Sequence, residues 1–101
     1  MGLEFAIKEL YATGWAAPDS IGCENYSDGR VYPGVGRIEQ EFATAGFELC
    51  VRHVQLFDCY RAQWLDGTGH AAGAVVGQTE IEAAVYALSQ LRRSLVAAGT
   101  P

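Results

Sequence analysis

Between Gly77 and Leu95 the chain reads GQTEIEAAVYALSQLRRSL, and no other stretch limits its possible folds so strongly. Ile81, Ala84, Val85, Leu88, Leu91 and Leu95 recur at spacings of three and four, which draws a single apolar stripe along a helix over residues 79–97. A stripe of that length needs a core to pack on. Thr79 is placed to cap the first turn, and Glu82, three residues later, to reach back to it in a capping box; Gly77 marks the entry turn. Glu80 and Glu82 sit at the positive end of the helix dipole, Arg92 and Arg93 towards the negative end, and Gly99 and Pro101 are placed to stop the helix.

Two sheet-forming stretches precede this helix. Phe47 to Val54 and Phe57 to Asp66 are rich in aromatic and β-branched residues, and the turn Asp66-Gly67-Thr68-Gly69 leads into a third, poorer strand over His70 to Val76. With Gln55 and Leu56 as a two-residue loop, Phe47 faces Trp64, Leu49 faces Ala62, Val51 faces Tyr60 and His53 faces Asp58, although Gln-Leu is a poor type I′ turn and a longer turn is the alternative. That makes one face apolar. The other carries Glu48, Cys50, Arg52 and Val54 against Phe57, Cys59, Arg61 and Gln63, suited to partial exposure. Ahead of the strands, Val35, Ile38, Phe42 and Ala45 give a short helix over 35–45 that Gly46 ends. The expected core is Phe47, Leu49, Val51, Tyr60, Trp64, Ile81, Val85 and Leu88, with both helices on one face of a three-stranded antiparallel sheet.

Residues 3–13 fit two patterns. Leu3, Ile7, Leu10 and Tyr11 follow helical spacing, whereas Leu3, Phe5 and Ile7 alternate with polar residues as a strand would; good helix formers and Gly14 favour the helix. Trp15 to Gly34, with its prolines, glycines and the pair Asp28-Gly29, reads as a long loop whose apolar residues wrap the core. The fold class is therefore α+β: a three-stranded β-meander packed by two helices, αβββα, over 35–98, with residues 1–34 as an extension of the same single domain.

From Val35 to Ala98 this order resembles the double-stranded-RNA-binding domain. In that family the last helix opens with a glycine, one residue, then Ser-Lys-Lys-x-Ala-Lys-x-x-Ala-Ala. Here Gly77, Thr79, Ala83 and Ala87 agree, but Glu80, Ile81 and Ala84 stand where the family's phosphate-binding lysines would be. The resemblance thus implies the fold without the RNA chemistry, leaving Arg52 and Arg61 of the sheet as the substitute cations.

The balance of charge points the same way. Seven basic against twelve acidic residues give a net charge of -5, which opposes polyanions such as duplex RNA or anionic membranes. No stretch approaches a membrane span, and the start has no signal-peptide pattern, so a cytoplasmic location is expected. An odd number of cysteines, Cys23, Cys50 and Cys59, fits reduced thiols. Cys50, His53, Cys59 and His70 have no C-x-x-C pair to begin a zinc site, His53 with Asp58 reads as a hairpin-end ion pair, and residues 66–70 lack the helix or lysine a phosphate site uses. No cofactor, metal or catalytic set is expected. What remains is surplus apolar surface. Phe5, Trp15, Arg52, Val54, Phe57 and Arg61 are the candidate interface residues of a protein-binding module, its partner a second copy in a homodimer or another protein.

Overall fold

The computed structural model describes residues 2–16, 19 and 21–99. Three helices and two antiparallel sheets make an α+β chain: α1 Leu3–Ala12, β1 Cys23–Asn25, β2 Val31–Pro33, α2 Val35–Thr44, β3 Glu48–Val54, β4 Cys59–Leu65, β5 Ala71–Gly77 and α3 Glu80–Gly99. The smaller sheet is β1-β2 and the larger β3-β4-β5. Helix α3 crosses the larger sheet, α2 lies against β3 and α3, and α1 packs along α3.

The apolar stripe of α3 is buried at Ala84, Val85, Leu88 and Leu91, while Ile81 is half-buried and Leu95 is largely exposed, so the core ends one turn before the pattern does. Thr79 Oγ1 accepts the Glu82 N–H at 3.2 Å, which is the first half of the capping box. Arg92 and Arg93 do not serve the helix end, because α3 continues to Gly99. Instead Arg92 Nε donates to Thr13 Oγ1 at 2.8 Å and Arg93 donates to Glu9 at 2.6 Å, which ties α1 to α3.

Residues 3–13 are helical, and Ala6, Ile7 and Leu10 face the core. Helix α2 is stopped by a Schellman turn: Gly46 takes a φ of 91, Gly46 N–H donates to Ala43 O at 3.0 Å and Phe47 N–H to Phe42 O at 2.9 Å.

Two sequence expectations are corrected. The stretch 15–34 is not all loop: Cys23 pairs with Pro33, Glu24 with Tyr32 and Asn25 with Val31, and Asp28-Gly29 forms the apex of this hairpin. Arg37 of α2 anchors the chain leading into it through Asp19 Oδ1 at 3.1 Å and the Ile21 carbonyl. The larger hairpin, for its part, is two residues out of the expected register. Leu49 faces Trp64, Val51 faces Ala62 and His53 faces Tyr60, because the connection is a 3-10 turn over Gln55–Phe57 followed by Asp58 in the left-handed region, at φ 48. A shift of two leaves every side chain on its face. Leu49, Trp64, Val85 and Leu88 are therefore buried as expected, with Phe47, Val51, Tyr60 and Ile81 half-buried around them, and Ile38, Phe42, Ala62, Tyr32 and the buried residues of α1 join them in the core.

Candidate functional site

With the helices on one side, the opposite face of the larger sheet has no helix over it among the described residues. Its rows follow from the register: Val54 beside Cys59, Arg52 beside Arg61 and Val76, Cys50 beside Gln63 and Ala74, Glu48 beside Leu65. Cys50, Arg52, Val54, Arg61, Gln63 and Leu65 line a shallow concavity there. At the end of the sheet the 3-10 turn holds out Leu56 and Phe57, 83% and 73% exposed.

Arg52 and Arg61 stand directly opposite one another on antiparallel strands. Like charges so placed repel, and among the described residues no carboxylate pairs with either. The other arginines are engaged: Arg30 by Asp28, Arg37 by Asp19 and Glu41, Arg92 by Thr13 and Arg93 by Glu9. The open face thus holds two unmatched cations in an apolar surround, in a chain of net charge -5.

The remaining expected interface residues lie apart from this face. Phe5, on α1, is 39% exposed and rests against Tyr86 of α3, with ring centroids 6.3 Å apart. Trp15 belongs to the core, its Nε1 donating to Glu41 at 3.3 Å, so it offers no surface to a partner. The apolar residues of 1–34 are in large part consumed internally: Ile7, Leu10, Trp15 and Tyr32 are buried, and Tyr11 Oη donates to the Val31 carbonyl at 2.6 Å.

Groups with catalytic or ligand chemistry are dispersed. His53 Nε2 lies 3.0 Å from Asp58 Oδ1 at the exposed hairpin end, with its ring against Tyr60. Cys50 and Cys59 are on the outer face, His53 on the helix side and His70 in the β4-β5 turn; among the described residues no group of three His, Cys, Asp or Glu gathers. In that turn the Asp66 carboxylate accepts from Thr68 Oγ1 at 2.6 Å, Thr68 N–H at 2.9 Å and His70 N–H at 3.1 Å. These bonds, the Thr68 hydroxyl first, hold its carboxyl below the usual range. A carboxylate already fills the nest that a phosphate would need.

One feature had no counterpart in the sequence reading. Beside β5 runs an open groove whose wall includes Phe5, Val75, Glu82 and Tyr86. Among the described residues no helix is long and apolar enough to cross a membrane. No protein-family model, curated protein or solved structure matches the chain.

Proposed function

We propose that this chain is a non-catalytic assembly module of the αβββα, double-stranded-RNA-binding-like layout, and that it self-associates through the outer face of its larger sheet. The observation that carries this reading is the unmatched pair Arg52 and Arg61 on a face that no helix covers, beside the protruding Leu56 and Phe57. A second copy suits such a face. Laid across it in two-fold symmetry, a copy brings its Glu48, the carboxylate in the rows of this face, towards the arginines, and burial of Phe57 and Val54 supplies the apolar contribution. Three free thiols fit a reducing compartment, so the proposed place of action is the cytoplasm.

Light scattering of the purified chain at micromolar concentration tests the proposal. A dimer is expected, and Phe57→Asp, which alters only an exposed turn residue, returns it to monomer. A wild-type chain that stays monomeric across that range overturns the proposal. The second reading, weak binding of RNA by the same two arginines, rests on their being the free cations of an open face; a salt series on duplex RNA separates it from the first.

A further inference from the structure

β5 is an edge of the larger sheet. It pairs with β4 on one side, and among the described residues no strand pairs with its other side. Over its seven residues, AAGAVVG, it carries neither charge nor proline, and Val76 is 60% exposed. Natural edges are ordinarily guarded by such residues; without them the row of backbone N–H and C=O groups is open to any extended chain laid alongside. The opposite edge, β3, has Glu48, Arg52 and His53.

The groove beside β5 has a volume of about 780 Å3, and its lining contains no lysine or arginine. Phe5 and Tyr86 form one aromatic wall, with Glu82 on the adjoining turn of α3. Glu82 is only 5% exposed. Its N–H is held by Thr79, yet among the described residues no donor reaches its carboxylate, so the second half of the capping box is not made. Among the described residues no buried side-chain oxygen is sealed off without a partner, so this carboxylate reaches solvent, and Glu82 lines the groove. Tyr86 records the field there: burial, then the Glu82 and Glu9 carboxylates, push its phenol pKa up and keep it a protonated donor.

A residue nine-tenths buried whose carboxylate reaches an aromatic-walled groove and has no cation there is an unfinished site. A second copy's β5 would bring only alanine, glycine and valine to it and leave it unfinished. We infer that the β5 edge and its groove receive an extended segment of a basic partner, which joins the sheet as a further strand and seats one lysine or arginine on Glu82 between Phe5 and Tyr86. Backbone hydrogen bonds to β5 hold the segment, and the two-residue alternation of a strand points one side chain in two towards the groove. The carboxylate and aromatic wall select a cation there. The groove adjoins the outer face through Cys59 and Val76, but its test reads peptide binding at Glu82 and not self-association, so the two readings fail separately.

The probe is a capped, fluorescently labelled heptapeptide of alternating valine and threonine with a central lysine, read by anisotropy. It is expected to bind. Replacing its lysine with norleucine, or Glu82→Gln in the protein, each weakens binding by about tenfold, the scale of one charge-assisted hydrogen bond. N-methylation of one alternate set of peptide nitrogens abolishes binding while methylation of the other set does not. Should Glu82→Gln fail to fold by circular dichroism, the norleucine peptide carries the test of charge. Absence of binding at millimolar peptide overturns the inference, as does equal affinity for lysine and norleucine. Equal binding of the two methylated forms overturns strand addition.

Discussion

Gly73 faces Trp64 across the β4-β5 pair, and the indole occupies the space that a side chain at 73 would need. Trp64 has little room to yield, because its ring also packs on Phe42 with centroids 5.4 Å apart. Gly73→Ala is therefore expected to destabilise the chain by about 1–3 kcal/mol, the range for an overpacked core, seen as a lower urea midpoint with an unchanged slope. Asp66 makes a different kind of prediction. Its hydrogen bonds to Thr68 and His70 lower its folded pKa below the unfolded value, roughly 3.9. A lowered carboxylate pKa gives stability that is present above the unfolded pKa and lost as pH falls through the folded one. The stability difference between wild type and Asp66→Ala should accordingly be level above about pH 5 and shrink below about pH 4. A gap that widens on acidification would show that Asp66 does not act through its charge.

Among the elements, α1 shows how far an apparent extension belongs to the core. Ala6, Ile7 and Leu10 are fully buried, and Arg92 and Arg93 fasten the helix to α3 from the far end of the chain. Leu10→Ala should cost about 2–5 kcal/mol. If α1 is part of one cooperative unit, tryptophan fluorescence and far-UV circular dichroism will still report a single coincident transition in the variant. The helices over 35–45 and 79–97 were legible from sequence because their stripes follow the helical period, whereas residues 3–13 fitted both periods and were decided by helix formers and Gly14. The sheet was legible only in part: alternation has a period of two, so Leu49, Val51 and Trp64 were placed on the correct face although the register was two residues out. Loop length, which fixes register, depended on Asp58 taking a left-handed backbone, a conformation that Asp tolerates better than most residues but does not demand. The pair β1 and β2 escaped notice because three residues are too few to show alternation between turn signals. The candidate site divides in the same way. Arg52, Val54 and Arg61 followed from alternation, whereas the groove did not, since the capping-box pattern assigned the Glu82 carboxylate to the helix end and only tertiary packing turns it outward.

At the scale of the whole molecule, the distribution of charge separates the two readings of the outer face. Of seven basic residues, Arg30, Arg37, Arg92 and Arg93 are occupied within the chain, and α3, which would carry phosphate-binding lysines under the proposed double-stranded-RNA-binding-like layout, opens here with Glu80 and Glu82. Phosphate binding through the sheet would then rest on Arg52 and Arg61, working against a net charge of -5. Each phosphate neutralised contributes roughly 0.9 to the slope of log affinity on log salt, so two contacts predict a slope of about -2 and binding no tighter than micromolar at physiological salt. Gel shifts with RNA duplexes of increasing length, at several salt concentrations, measure both quantities. Sub-micromolar affinity that rises with duplex length would overturn the prediction and favour the RNA reading. The variants sharpen the distinction. Arg52→Ala with Arg61→Ala should flatten the salt slope and also weaken self-association, because both readings use the arginines. Phe57→Asp should dissolve the dimer through loss of apolar burial, and any RNA it weakens should fall only by the small repulsion of one added exposed charge, screened beyond about 10 Å at 0.1 M salt.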